Sequence, residues 1–121
     1  MNDFRESIVW QKSMDLIVEV YCVTTNFPSE EKFGLTSQIR RAVVSIPSNI
    51  AEGFGRKTTP DFIKFLHIAR GSLYEFQTQI DASFRLCFVK KEVCDELLNK
   101  AKEIEKMTNS LIHSLQKRIK T

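Results

Sequence analysis

The sequence predicts an all-α protein: a single domain, residues 1–121, folded as an antiparallel up-down-up-down four-helix bundle. Three observations predict it. Apolar residues recur at three- and four-residue steps along the chain, and nowhere do five positions alternate as a half-buried strand would. Glycine and proline punctuation falls at Pro28–Gly34 and Gly53–Pro60, dividing the chain at helix-length intervals. The connections left between those intervals are short, which favours antiparallel neighbours. A chain of 121 residues is also large enough to hold itself together by a hydrophobic core, with no metal or disulfide required.

The first helix is expected over roughly residues 8 to 25, where Val9, Leu16, Val20, Val23 and Phe27 form one stripe flanked by Trp10, Ile17 and Tyr21. Asn26-Phe27-Pro28-Ser29 stops it, since proline cannot continue a helix and disfavours helical geometry in the residue before it. After Gly34, suited to reversing the backbone at positive φ, the second helix is expected over about 35 to 53 with Leu35, Ile39, Ala42, Val43, Ile46 and Ile50 inward. Pro47 lies inside it and removes a backbone hydrogen bond. A kink is expected there, with Ser45 or Ser48 satisfying the freed carbonyl.

Thr58-Thr59-Pro60-Asp61 opens the third helix with an N-cap threonine, a first-turn proline and an early acid. Over 60 to about 87 its broad apolar face is Phe62, Phe65, Leu66, Ala69, Leu73, Phe76, Ile80, Phe84 and Cys87, and Gly71-Ser72 at its middle would let another helix approach closely. The fourth, about 91 to 119, carries Cys94, Leu97, Ala101, Ile104, Thr108, Leu111 and Leu115 as a coiled-coil-like seam. No glycine or proline separates these two helices. The break is placed at 88–90 because one helix of about 60 residues would be exceptional in a small domain. Trp10, Val44, Ile63, Tyr74 and Phe88 lie off the main stripes, and either widen the core or form a second apolar face used in self-assembly.

The chemistry-bearing residues are sparse. Cys22, Cys87 and Cys94 are odd in number with no C-x-x-C pair, which argues against a disulfide framework or a zinc site. Lys64 and Ser110 stand where a Glu-x-x-His metal pair would need glutamate before His67 and His113, so no metal site is expected. Phosphate-loop, dinucleotide and nucleophile-elbow motifs are absent, and neither an enzyme nor a cofactor is expected. With no apolar leader and no bilayer-length apolar run, the reading is a cytoplasmic protein without a membrane association.

The formal charge is +3, and Lys117, Arg118 and Lys120 account for all of it, so residues 1–116 are neutral. Attraction for a polyanion must therefore come from local clusters. The candidates are Arg40-Arg41, Arg56-Lys57 and the tail Lys117, Arg118 and Lys120, whose guanidinium and ammonium groups suit phosphate. Fifteen helical residues set Arg41 about 22 Å from Arg56, too far for one compact patch in a monomer. Pairing of Arg40 and Arg41 with Glu75 or Asp81 is the competing structural role. Ser45, Ser48, Asn49 and Glu52 either line a ligand pocket or repair the proline kink.

The run Phe27-Pro28 through Gly34-Leu35, continued by Gln38-Ile39-Arg40-Arg41-Ala42-Val43-Val44-Ser45-Ile46-Pro47-Ser48-Asn49-Ile50-Ala51-Glu52-Gly53, resembles the 23S rRNA intervening-sequence protein family. Phe62, Phe65-Leu66, Ile68-Ala69, Gly71-Ser72, Glu75 and Thr78-Gln79 extend the likeness over nearly the whole chain. The resemblance implies a four-helix bundle assembling as a homopentamer, encoded within bacterial ribosomal RNA genes and elsewhere in bacterial chromosomes. Similar proteins serve diversity-generating retroelements as basic pentamers that bind nucleic acid and a reverse transcriptase; the neutral body of this chain departs from that type. Two functions are expected to compete: a non-catalytic ring binding structured RNA or a nucleoprotein, and a protein-interaction scaffold with no nucleic-acid role. A small-molecule site at the kinked helix is a third.

Overall fold

A short 3-10 turn, Phe4–Glu6, is capped by the Asp3 carboxylate, which accepts from Arg5 N at 3.0 Å, and leads into α1 (Ile8–Thr24). A computed structural model describes residues 3–120, except for the Lys120 side chain. A second 3-10 turn, Ser29–Glu31, precedes α2 (Leu35–Phe54). Gly34 has φ −111° rather than the positive φ expected of it, and since it offers no side chain to cap α2 the Glu31 carboxylate accepts from Leu35 N at 3.0 Å. Thr58 caps α3 (Thr59–Arg85) by accepting from Asp61 N at 3.3 Å, with Pro60 in the first turn as the sequence predicts. The fourth helix, α4, runs Lys91–Lys120.

Each helix packs on its neighbours in sequence, and α4 closes the square against α1. The antiparallel sense is visible in pairs that cross between helices. Lys12 meets Glu103 at 2.6 Å while Glu19, later in α1, meets Lys100, earlier in α4. Arg70 donates to Asn109 at 2.9 Å, and Gln77, further along α3, to Glu105 at 3.0 Å. The interior between the four helices is filled by Leu16, Val20, Ile39, Val43, Ile46, Ile50, Leu66, Leu73, Phe76, Ile80 and Ile104.

Small polar residues enter this core by turning their hydroxyls onto their own helix. Ser13 donates to Val9 O (2.7 Å), Thr24 to Val20 O, Ser83 to Gln79 O and Thr108 to Ile104 O (each 2.8 Å), so none of these groups is buried unsatisfied. On α1 this places Thr24 fully inside and leaves Val23 half-buried. Ile63, assigned off the stripe by periodicity, is core, while Phe62, Phe65 and Phe84 are half-buried. Along α4 the seam passes through Ile112 rather than Leu111. A straight helix of 3.6 residues per turn drifts from a 3.5-residue seam, which moves the buried position by one late in the helix.

The α3–α4 break spans residues 86–90, and Cys87 is outside the core, exposed, with φ +66°. Cys87 N donates to Phe84 O and Phe88 N to Ser83 O at 2.9 and 2.8 Å, the paired bonds of a Schellman ending built without glycine. Phe88 then packs against Phe27 with ring centroids 5.7 Å apart.

Helix α2 continues through Pro47, which is buried. Neither serine goes to the carbonyl of Val43, the group proline deprives. Ser48 donates to Val44 O at 2.8 Å, and Ser45 pairs with Ser72 of α3, hydroxyl to hydroxyl, at 2.8 Å. Asn49 Nδ2 donates to both the carbonyl and the hydroxyl of Ser45. Within the polar run Ser45 therefore ties α2 to α3, while Ser48 and Asn49 bond back onto α2 itself.

Candidate nucleic-acid interface

Arg40 is held by the C-terminus of α1. Its Nε donates to Thr24 Oγ1 at 2.9 Å, its Nη2 to the Tyr21 carbonyl at 3.3 Å, and its guanidinium lies 4.4 Å from the Tyr21 ring centroid. A cation over a helix C-terminus satisfies end carbonyls and complements the helix dipole. Neither Glu75 nor Asp81 pairs with it; Asp81 is bound to Arg85 at 3.2 Å. Arg41, the next residue, turns outward beside Phe33, Ser37, Glu75 and Gln79.

Arg56 reaches back to Glu52 at 3.6 Å and lies over the Phe65 ring at 4.4 Å, while Lys57 is exposed in the α2–α3 turn. Lys117 and Arg118 are exposed in the last turns of α4; the side chain of Lys120 lies outside the described residues. Because Asn109 stands opposite Arg70, the antiparallel register brings Lys117, two turns further on, level with the first turns of α3 and so with the 56–57 turn. The fold thus divides the six candidates with described side chains into two groups. Arg40 and Arg41 lie near one end of the bundle, and Arg56, Lys57, Lys117 and Arg118 at the other.

Sequence inspection overlooked two further cations at this second end. Arg5 precedes α1 and Lys64 sits one turn into α3, both exposed. Arg5 lies 3.8 Å from Asp3. Their only signal in the sequence is position: both fall beside helix starts that an up-down bundle gathers at the end where α4 finishes.

Other cations are neutralised within the chain. The Lys100 ammonium is held above its ordinary range by the hydrogen bonds it donates to Glu19 and Glu96, against the opposing effect of burial, and Lys91 is raised by its hydrogen bond to Asp95. Burial pushes the Cys94 thiol up, the opposite of what a nucleophile needs. His67 and His113 are exposed, with His67 Nδ1 2.7 Å from Arg70 Nη2, and among the described residues no three His, Cys, Asp or Glu side chains gather as metal ligands.

A family model described as the 23S rRNA-intervening sequence protein matches residues 5–110. The chain belongs to that family. Arg40, Arg41, Arg56 and Lys57 fall inside the matched span, and Lys117 and Arg118 beyond it. Its fold is shared by a solved 1.70 Å crystal structure of a protein of unknown function from the S23 ribosomal protein family of Bacteroides thetaiotaomicron, with 28% identity and a TM-score of 0.79. That likeness covers 87% of this chain and 98% of the other. Among curated proteins no match is found. No helix among the described residues is long and apolar enough to cross a membrane.

Proposed function

We propose that this protein is a non-catalytic, cytoplasmic, self-assembling bundle that binds structured RNA through one basic end. The observation carrying this reading is the convergence of Arg56, Lys57, Lys117 and Arg118, from two places sixty residues apart in sequence, at the end of the bundle that also holds Arg5 and Lys64. Phosphate contacts are additive in charge, and each neutralised phosphate contributes roughly −0.7 to −0.9 to the slope of log affinity against log salt. Several copies in a ring raise the local charge further without any change in the monomer. Five copies are what the resemblance implies.

The test is fluorescence anisotropy of a labelled RNA hairpin titrated with protein at two salt concentrations. Binding that weakens steeply with salt, and that falls at least tenfold in Lys57→Glu/Lys117→Glu, is the expected result. Absence of binding at low salt overturns the RNA role. That outcome favours a protein-interaction scaffold, in keeping with the engagement of Arg40 and Arg56 by groups of their own chain.

A further inference from the structure

Phe33, in the turn before α2, is 89% exposed, and the Lys32 ammonium lies 5.5 Å from its ring centroid. A single exposed apolar side chain is ordinary on a protein surface. Phe33 is set apart by its position on the rim of two adjoining clefts, which also share Arg41 and Ser45. The first, beside Tyr21 of α1, is bordered by three cations, Lys32, Arg40 and Arg41, and by no acid. The second, about 590 Å³ between α2 and α3, is bordered by Glu75 and Gln79, and only Phe33 and Ala42 of its lining residues are apolar.

The second cleft holds more hydrogen-bonding capacity than the chain uses. The buried Gln79 Oε1 has no partner, a state that buried acceptors seldom keep. Ser45 and Ser72 share one hydrogen bond at 2.8 Å, and Ser45 Oγ also accepts from Asn49 Nδ2 at 2.9 Å. One of the two hydroxyl hydrogens is left over whichever way the pair points. Arg41 and Glu75 border this cleft together, yet no ion pair joins them. Opposite charges held apart suit a ligand that presents donors to the carboxylate and negative charge to the guanidinium.

We infer that the paired clefts bind a guanine nucleotide, its base in the α2–α3 cleft against Phe33 and Glu75 and its phosphate beside Lys32 and Arg41. Guanine carries two adjacent donors, N1–H and N2–H, on its pairing edge, and these match the two oxygens of one carboxylate. Adenine, cytosine and uracil each set an acceptor lone pair beside their donor, which a carboxylate repels. The second N2 hydrogen gives Gln79 Oε1 the donor it lacks, and the leftover serine hydroxyl supplies a donor for O6. An exposed aromatic ring is a platform on which a base stacks, and the cations beside it bind phosphate. An unpaired guanine in RNA presents the same chemistry as the free nucleotide. The site goes beyond the RNA reading above and does not depend on it, since Arg41 lies at the opposite end of the bundle from Arg56 and Lys117.

The experiment is isothermal titration calorimetry with GMP, AMP and IMP, the last lacking the N2 amino group. GMP is expected to bind the wild type about tenfold or more tightly than either of the others. Glu75→Gln is expected to erase that preference, and Phe33→Ala to weaken GMP binding about fivefold or more by removing the stack. Both side chains are exposed, and unfolding curves check that each variant stays folded. Should one unfold, the comparison of nucleotides on the wild type decides alone. Equal affinity for GMP and AMP, no GMP binding at millimolar concentration, or a folded Glu75→Gln that keeps the preference overturns the site. A labelled RNA hairpin with an unpaired guanine identifies the source of the ligand. Displacement of the hairpin by GMP assigns the cleft to a guanine of RNA, and GMP binding that leaves the hairpin in place assigns it to the free nucleotide. A wild type that binds the hairpin but no GMP overturns the cleft and leaves the basic end standing, whereas GMP binding with no affinity for the hairpin supports the cleft and overturns the RNA reading alone.

Discussion

Cys87 holds a left-handed backbone, φ +66°, at the end of α3, a conformation that costs a residue with a Cβ about 1 to 2 kcal/mol and glycine almost nothing. Cys87→Gly is therefore expected to raise stability in urea by about 1 kcal/mol, after the greater entropy of glycine in the unfolded chain is set against the relieved strain. Cys94 is buried, and its thiol is raised above the ordinary 9.0 mainly by burial, then by Asp81 and Asp95. With the folded value raised, the unfolded chain loses this proton first, so the contribution is intact below about pH 9 and declines as pH climbs past the ordinary value toward the folded one. Unfolding at pH 8 to 10 is expected to show this loss in the wild type and a flatter alkaline limb in Cys94→Ala. Arg40 and Arg41 are neighbours with different roles. Arg40→Ala removes two hydrogen bonds and a ring contact at the end of α1 and is expected to lower stability by about 1 to 2 kcal/mol, whereas Arg41→Ala stays within about 0.5 kcal/mol of wild type.

Two glycines on neighbouring helices have opposite requirements. In Gly53→Ala the new methyl group meets the Phe62 ring at 2.8 Å and the Phe62 carbonyl at 3.3 Å, where α2 hands over to α3, and a loss of about 1 to 3 kcal/mol is expected from denaturant curves. Gly71→Ala meets nothing and is expected to gain about 0.5 to 1 kcal/mol by the same measurement made on the dissociated chain. The helices themselves were legible in the sequence to within two residues, because Pro28, Gly34, Gly53 and Pro60 punctuate two of the three connections and amphipathic spacing fills the intervals. The details that escaped it depend on partners. Periodicity counts apolar residues, so it missed Ser13, Ser72 and Thr24, which are buried because their hydroxyls are satisfied locally or across to Ser45. The α3–α4 ending carries a cysteine where a helix stop normally carries glycine, so nothing in the residue type announced it. The Pro47 repair was assigned to the wrong acceptor, since the serines had stronger offers from Val44 and from Ser72.

At the scale of the whole molecule, the basic residues were all legible as cations, but their grouping was not. In sequence Arg56 and Lys117 are far apart, and only the antiparallel return of α4 places them at one end; Arg40 and Arg41 look like a pair, and only the position of Tyr21 and Thr24 separates their roles. On the proposed reading copies of the chain assemble, and assembly gathers basic ends into a surface for RNA. The second step depends on the first, since a monomer presents too few cations for a strong polyanion field. Mass in solution tests it most directly. Sedimentation equilibrium of the wild-type chain at micromolar concentration is expected to give five times the 14.0 kDa subunit, and a mass of 14.0 kDa at that concentration would contradict the account.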